Sequence, residues 1–261
     1  MKQTLAVIGG GNMGSAILGG IRKDFDVSVC EKDKTRANFL RRRFSVKVGD
    51  LDQILPQVKT ILLAVKPQDF EDILGQIRPN FNNQLVISIA AGITTSYIEK
   101  RLGTKARVVR VMPNLPAQIG QGMAGICKGK FATTADLALA RRIFNSIGES
   151  VVVEEKWMDA VTAVSGSGPA YVFLFVECLQ KAARSLGLKD AMAKELVQQT
   201  LKGSLALLDS QNIDAGQLRA RVTSKGGTTQ AATDVFMKHK IEKIFEEALK
   251  AAARRAKELA K

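Results

Sequence analysis

Near the amino terminus a short apolar run, Leu5–Ile8, stops at the glycine cluster Gly9-Gly10-Gly11-Asn12-Met13-Gly14, and an amphipathic stretch, Met13–Arg22, follows at once. Glycines at 9, 11 and 14 fit the spacing G-x-G-x-x-G, and a strand before and a helix after give that spacing its meaning. Gly9 permits a tight turn, Gly11 lets backbone approach a pyrophosphate, and Gly14 lets the helix pack on the sheet. The anion then sits on free N–H groups at the helix N-terminus. A chain that opens this way is committed to a strand–helix unit holding a dinucleotide.

The pattern repeats. Strands are expected at Leu5–Ile8, Val27–Cys30, Val46–Val48, Thr60–Val65, Leu85–Ile89 and Val108–Met112. Helical patterns fall between them at Met13–Arg22, Lys34–Arg43, Pro67–Ile77 and Ser96–Leu102. The strands are nearly continuous apolar runs, as in a parallel sheet buried on both faces. A further strand–helix–strand piece is expected around Gly122–Ile126, Ala135–Ile147 and Val151–Val153. Beyond about residue 156 the strand signal ends, and Pro169–Leu186, Asp190–Asp209, Ala215–Val222, Thr229–Met237 and Ile241–Leu259 all read as helices. The fold class is therefore α/β: a doubly wound, Rossmann-like parallel sheet over residues 1–156, then an all-α domain over 157–261. The first helix of that domain is apolar almost all round from Tyr171 to Val176, which requires central burial or a subunit contact.

Composition narrows the function. The net charge is +14, with 23 basic and 15 acidic residues up to residue 160, and 16 basic and 10 acidic beyond it. The excess is spread through both halves, and two tyrosines and one tryptophan offer little for base stacking. A solvated basic surface that attracts small anions explains it better than nucleic-acid binding. Three scattered cysteines (Cys30, Cys127, Cys178) and one histidine cannot build a Cys/His zinc site or a disulfide framework, so no metal and a reducing interior are expected. No run of 18 apolar residues occurs, so no membrane span is expected.

The cofactor's identity hangs on the second strand end. Glu31 lies where an acid binds the ribose hydroxyls of NAD, while Lys32, Lys34 and Arg36 crowd the same turn and suit the 2′-phosphate of NADP. Both cofactors stay open. Two more strand ends face the dinucleotide, Ala64-Val65-Lys66-Pro67-Gln68 and Ser88-Ile89-Ala90-Ala91-Gly92. Small residues at Ala90, Ala91 and Gly92 allow a nicotinamide ring to approach closely.

Two segments place glycines and hydroxyls before a helix: Ser165-Gly166-Ser167-Gly168-Pro169, and Thr223-Ser224-Lys225-Gly226-Gly227-Thr228-Thr229. Consecutive N–H groups at such a turn form an anion nest, and the second suits a small carboxylate. Alcohol oxidation needs a positioned base, yet the single histidine, His239, lies between two lysines. A protonated imine accepts hydride with little further help, so the scarcity of obvious bases favours C=N over C–OH chemistry, although a lysine such as Lys66 could act as a base.

These segments, with Val111-Met112-Pro113-Asn114 and Asp159-Ala160-Val161-Thr162-Ala163-Val164-Ser165 running on to Tyr171, resemble pyrroline-5-carboxylate reductase over essentially the whole chain. The resemblance implies NAD(P)H-dependent reduction of 1-pyrroline-5-carboxylate to L-proline in the cytoplasm. It implies a homodimer joined through the C-terminal helices, in some cases a ring of dimers, with the site assembled between subunits. Residues Ile8 to Gly14 and Ala64 to Pro67 would hold the dinucleotide. Ser224 and Gly226, Gly227, Thr228 and Thr229 would hold the substrate carboxylate, and the hydroxyls of Thr229 and Thr162 would lie near the ring nitrogen.

The chain departs from the family pattern at four places. Lys225 replaces a common proline, Leu115 a threonine and Leu51 an asparagine, and Gln211-Asn212-Ile213-Asp214 lacks a Glu-His-Pro. These bear on substrate affinity and cofactor preference. The competing readings are another imine reductase acting on a small carboxylate, a β-hydroxyacid dehydrogenase (whose catalytic lysine motif is not found here), and a non-catalytic dinucleotide sensor or basic nucleic-acid partner.

Overall fold

The computed structural model describes residues 2–103, 105–211 and 213–260. The strands are β1 Gln3–Ile8, β2 Phe25–Cys30, β3 Lys47–Val48, β4 Thr60–Leu63, β5 Leu85–Ser88, β6 Arg107–Met112, β7 Gly122–Lys128 and β8 Gly148–Val152. They form one sheet in the order β3-β2-β1-β4-β5-β6-β7-β8. All neighbours pair in parallel except β6 and β7, which are antiparallel. The order reverses between β1 and β4, the switch point at which such sheets bind ligands.

Burial on both faces follows from the apolar runs. In β1, Leu5 and Val7 join one core with Ile17, Leu18 and Phe144, while Ala6 and Ile8 join a second with Phe70, Leu74 and Ile98. The covering helices are α1 Asn12–Ile21, α2 Lys34–Phe44, α3 Leu51–Ile54, α4 Phe70–Ile77, α5 Thr95–Leu102 and α6 Thr134–Asn145. Caps fix several starts: Asp33 accepts from Arg36 N–H, Thr94 from Tyr97 N–H, and Thr133 with Asp136 closes a capping box.

Some boundaries differ from those expected. β4 stops at Leu63: the Ala64 N–H still donates to the Ile8 carbonyl at 2.8 Å, and the chain then turns into the loop beside Gly9. Pro67–Asp69 is a 3₁₀ turn before α4, since proline suits a first turn but cannot donate to the preceding carbonyls. β8 begins at Gly148 rather than Val151; its register pairs Gly122 with Gly148, which extends the strand through polar residues. Leu51, one of the departures from the family pattern, opens α3, and Leu115 opens a 3₁₀ turn over Leu115–Ile119. Asn212 lies outside the described residues.

The helical segments are α7 Met158–Val161, a π turn at Thr162–Gly166, α8 Gly168–Ser185, α9 Asp190–Ser210, α10 Ala215–Arg221, α11 Thr228–Lys238 and α12 Ile241–Glu258. The chain divides into two compact units, one running to Pro169 and including the residues from Ala251 onward, the other Ala170–Lys250. Central burial of α8 is not what the structure shows: Phe173 and Leu174 are 57% and 59% exposed. Periodicity cannot distinguish a helix buried in its own chain from one awaiting a partner. The run Glu155–Ser185 also holds an 18-residue window of mean hydropathy 1.3, enough by length and composition to cross a membrane, with 6% of it buried. Polar residues interrupt the run, so it holds no 18 consecutive apolar residues although its mean is high.

Candidate functional site

Register aligns the carboxyl ends of four strands. Ile8 pairs with Cys30 and with Leu63, and Leu63 pairs with Ser88. The residues just beyond them, at Gly9, Glu31, Ala64 and Ile89, form a row about 14 Å long at the usual strand spacing. That row frames the candidate cofactor site in the first unit.

The glycine loop is built as its spacing requires. Gly9 has φ +96°, and a Cβ there would come within 2.7 Å of the Ala64 carbonyl oxygen. Its N–H donates to the Cys30 carbonyl at 2.9 Å. A Cβ on Gly14 would collide with the Gly9 carbonyl oxygen, so only glycine lets α1 sit this close to the turn. At Gly11 the added Cβ would meet nothing within 4 Å. The N-terminus of α1 carries no side-chain cap and no acidic residue in its first turn. An open cradle above uncapped N–H groups fits a dinucleotide pyrophosphate.

Gly10 is held by a network of hydrogen bonds that no local motif announces. Its N–H donates to Glu31 Oε2 at 2.7 Å, and its carbonyl accepts from Arg36 Nε at 2.7 Å and Ser15 Oγ at 2.9 Å. Arg36 Nη2 also donates to Ser15 Oγ at 2.7 Å. A Cβ on Gly10 would strike Leu40 Cδ1. Nothing in the sequence marks Ser15 or Leu40 for this role, since they lie 5 and 30 positions from Gly10 with no motif to join them. Lys32 sits 3.9 Å from Asp69, an exposed pair of little energetic weight. Next to the row, burial and the Asp50 charge push the Cys30 thiol up to about 12, leaving it an inert packing group.

The other strand-end residues divide. Ala64 and Val65 are half-buried beside Gly9, Lys66 is exposed, and Pro67 opens the 3₁₀ turn. Ala90 is buried, with its N–H 3.4 Å from Ser88 Oγ. Gly92, at φ +75°, faces the C-terminal segment: a Cβ there would lie 2.5 Å from the Leu259 carbonyl oxygen.

Still in the first unit, Asn114 joins two of the diagnostic segments. Its Nδ2 lies 3.3 Å from both the Ser165 carbonyl and Ser165 Oγ, and its Oδ1 accepts Met123 N–H at 2.8 Å. A Cβ on Gly166 would lie 2.6 Å from Met112 Cε, the mobile end of a flexible side chain. Thr162 opens the π turn, and its hydroxyl donates to the Met158 carbonyl at 2.8 Å.

In the second unit Gly226 has φ +72° and Gly227 is the N-cap of α11. Two N–H groups of this loop are engaged internally, Gly226 with Gln230 Oε1 at 2.8 Å and Gly227 with the Ser224 carbonyl at 3.0 Å. Those of Thr228 and Thr229 belong to the first turn, where helices lack internal acceptors, and no side chain caps the end. Ser224 and Lys225 are exposed and Thr229 is half-buried. Among the described residues no group of three or more His, Cys, Asp or Glu side chains is placed to hold a metal ion.

A doubly wound sheet with an open glycine cradle at its switch point, joined to a helical region, defines a dinucleotide-dependent oxidoreductase. Residues 155–259 match the family described as pyrroline-5-carboxylate reductase dimerisation, and residues 4–92 match the one described as NADP oxidoreductase coenzyme F420-dependent. The chain is 39% identical to pyrroline-5-carboxylate reductase of Synechocystis sp. over 100% of both chains. The solved pyrroline-5-carboxylate reductase of Coxiella burnetii superposes with a TM-score of 0.94 at 34% identity, covering 100% of each chain. The pyrroline carboxylate reductase of Plasmodium falciparum, solved with NADP bound, gives 0.87 at 30% identity, covering 99% of this chain and 98% of its own. The chain belongs to the pyrroline-5-carboxylate reductase family.

Proposed function

We propose that the chain reduces 1-pyrroline-5-carboxylate to L-proline with NADH or NADPH, the last step of proline biosynthesis. The observation that carries this reading is the likeness to pyrroline-5-carboxylate reductases along the whole chain. The reduced nicotinamide supplies the hydride. Gly9 to Gly14 and the N-terminus of α1 hold the pyrophosphate, with Ala64 to Pro67 and Ala90 to Gly92 flanking the rest of the dinucleotide. The functional division follows the same plan, a cofactor domain over 1–156 and a substrate and dimerisation domain over 157–261.

Ser224 and the loop Gly226 to Thr229 receive the substrate carboxylate, chiefly through the N–H groups of Thr228 and Thr229. The substrate enters as the iminium; its C=N carbon gains hydride, the C=N bond becomes single, and nitrogen keeps its proton. Thr229 and Thr162 orient that N–H. Because the Thr162 hydroxyl already donates to Met158, its oxygen is left to accept, the polarity a protonated ring nitrogen needs.

The working form is a cytoplasmic homodimer through the C-terminal helices, and the exposed Phe173 and Leu174 of α8 supply apolar surface for it. This assigns the apolar helix to protein rather than lipid and the basic surface to small anions rather than nucleic acid. Sedimentation of the purified protein separates monomer, dimer and a ring of dimers. The catalytic test mixes protein, pyrroline-5-carboxylate and either reduced cofactor, and follows cofactor absorbance and proline. No turnover with either cofactor near neutral pH would sink the reading; Thr229→Val should lower kcat by roughly ten- to a hundredfold if its hydroxyl orients the nitrogen.

A further inference from the structure

The turn after β2 mixes acids with bases, and the structure sorts them. Glu31 is half-buried and turned onto the glycine loop, with Oε2 accepting Gly10 N–H at 2.7 Å and Oε1 accepting Asp33 N–H at 2.9 Å. Two backbone donors therefore fix the carboxylate at the sheet edge beside the pyrophosphate cradle. Arg36, which the sequence offers as a phosphate anchor, is held elsewhere. Its Nε donates to the Gly10 carbonyl, its Nη2 to Ser15 Oγ, and its guanidinium carbon lies 4.9 Å from the Phe39 ring centroid. Asp33 is occupied as the cap of α2. Lys32, its side chain 88% exposed, pairs with Asp69, and Lys34 is exposed.

We propose that Glu31 makes this chain selective for NADH over NADPH. The inference rests on the reading of the chain as a dinucleotide-dependent reductase. A dinucleotide whose pyrophosphate lies on the N-terminus of α1 reaches the end of β2 with its adenosine ribose. A fixed carboxylate there has lone pairs left over for ribose hydroxyls. The same carboxylate repels the dianionic 2′-phosphate, and turning it away would break the bond to Gly10. Arg36 is tethered to the glycine loop through Nε and one Nη2 hydrogen, so only its other guanidinium hydrogens could turn to a 2′-phosphate, and only from where those two bonds hold it. The remaining lysines are solvated and give weak, salt-screened attraction. Selectivity for NADH does not follow from the family likeness, since one matching family is described as an NADP oxidoreductase and one similar structure holds NADP.

The test is direct binding of NADH and NADPH to the purified protein without imine, by calorimetry or fluorescence, at low and moderate salt. NADH should bind at least about tenfold more tightly than NADPH, the scale of one charge interaction near a protein surface. Glu31→Ser should erase that ratio by tightening NADPH. Arg36→Lys should weaken both cofactors by a similar factor and leave the ratio alone. Equal or tighter NADPH binding by the native protein overturns the proposal, and so does a loss confined to NADPH in Arg36→Lys. The native ratio decides the matter even if a variant fails to fold. Turnover of the imine alongside NADPH preference would sink the selectivity alone, whereas binding of neither cofactor would overturn both it and the reductase reading.

Discussion

Glu155 caps helix α5 from 60 residues away: its carboxylate accepts the Thr95 N–H at 2.8 Å and the Thr95 hydroxyl at 2.6 Å. The same carboxylate lies 3.4 Å from Nη1 of Arg110, whose side chain is 5% exposed in the middle of the sheet. One acid thus ends β8's connection, starts α5 and neutralises a buried cation, all next to the β5–α5 turn assigned to the cofactor.

Removing it should expose all three roles. Glu155→Ala leaves Arg110 without this carboxylate and should cost about 2–4 kcal/mol, reduced from the fully buried case because Glu155 is partly exposed. Glu155→Gln keeps an acceptor for Thr95 and should lose less. Adding Arg110→Met to Glu155→Ala should restore part of the loss. Chemical denaturation measures each value, and a change under about 0.5 kcal/mol for Glu155→Ala would mean that the pair is decorative.

What the sequence disclosed, and what it hid, follows from range. The glycine loop and the strands are local patterns, so Gly9, Gly11 and Gly14 and the runs such as Ile61 to Leu63 announce their own geometry. Glu31, Lys32 and Arg36 also stand out, but their roles depend on which way each side chain turns, and spacing carries no such information. Glu155 with Thr95, and Leu259 with Gly92, join positions with no common motif. The exposure of Phe173 was hidden for another reason: apolarity says that a surface wants covering, not which chain covers it.

Glu99 gives a pH signature. The group is 9% exposed, and burial, reinforced by the Glu155 charge, pushes its carboxyl above the ordinary range despite the Lys130 N–H it accepts at 2.9 Å. A raised folded-state value means the folded chain favours the proton, so this group's stabilising contribution is complete below the unfolded value and is lost as pH rises through the folded one. Glu99→Gln keeps the acceptor for Lys130 and removes the charge. The variant should melt above the native protein near neutral pH, and the gap should shrink below about pH 4.3. An equal gap at both pH values would remove Glu99 as the cause.

Gly92 ties the cofactor turn to the chain's end. Its φ of +75° disfavours any side chain, and a methyl would lie 2.5 Å from the Leu259 carbonyl oxygen and 3.0 Å from its carbon. Gly92→Ala should destabilise by about 1–3 kcal/mol through strain at that φ and displacement of the terminal turn. Hydrogen exchange localises the effect: amides of Leu259 and Ala260, which bond to Arg255 and Lys257, should lose protection first. Unchanged exchange there would separate the strain from the contact.

Gly11 and Gly14 separate binding from folding within one loop. A Cβ on Gly11 meets nothing within 4 Å and its backbone has φ −60°, which alanine adopts freely. Gly11→Ala should therefore leave the melting temperature nearly unchanged. Its methyl would stand where backbone must approach the pyrophosphate, so cofactor affinity should fall about tenfold or more. Gly14→Ala is the opposite case, because the methyl collides with the Gly9 carbonyl, which can move only by shifting α1 against the sheet. That variant should lose stability by about 1–3 kcal/mol before any ligand is added, as for an overpacked core position. If Gly11→Ala melted early and bound cofactor normally, the open space above α1 would be structural slack rather than the cradle of the dinucleotide.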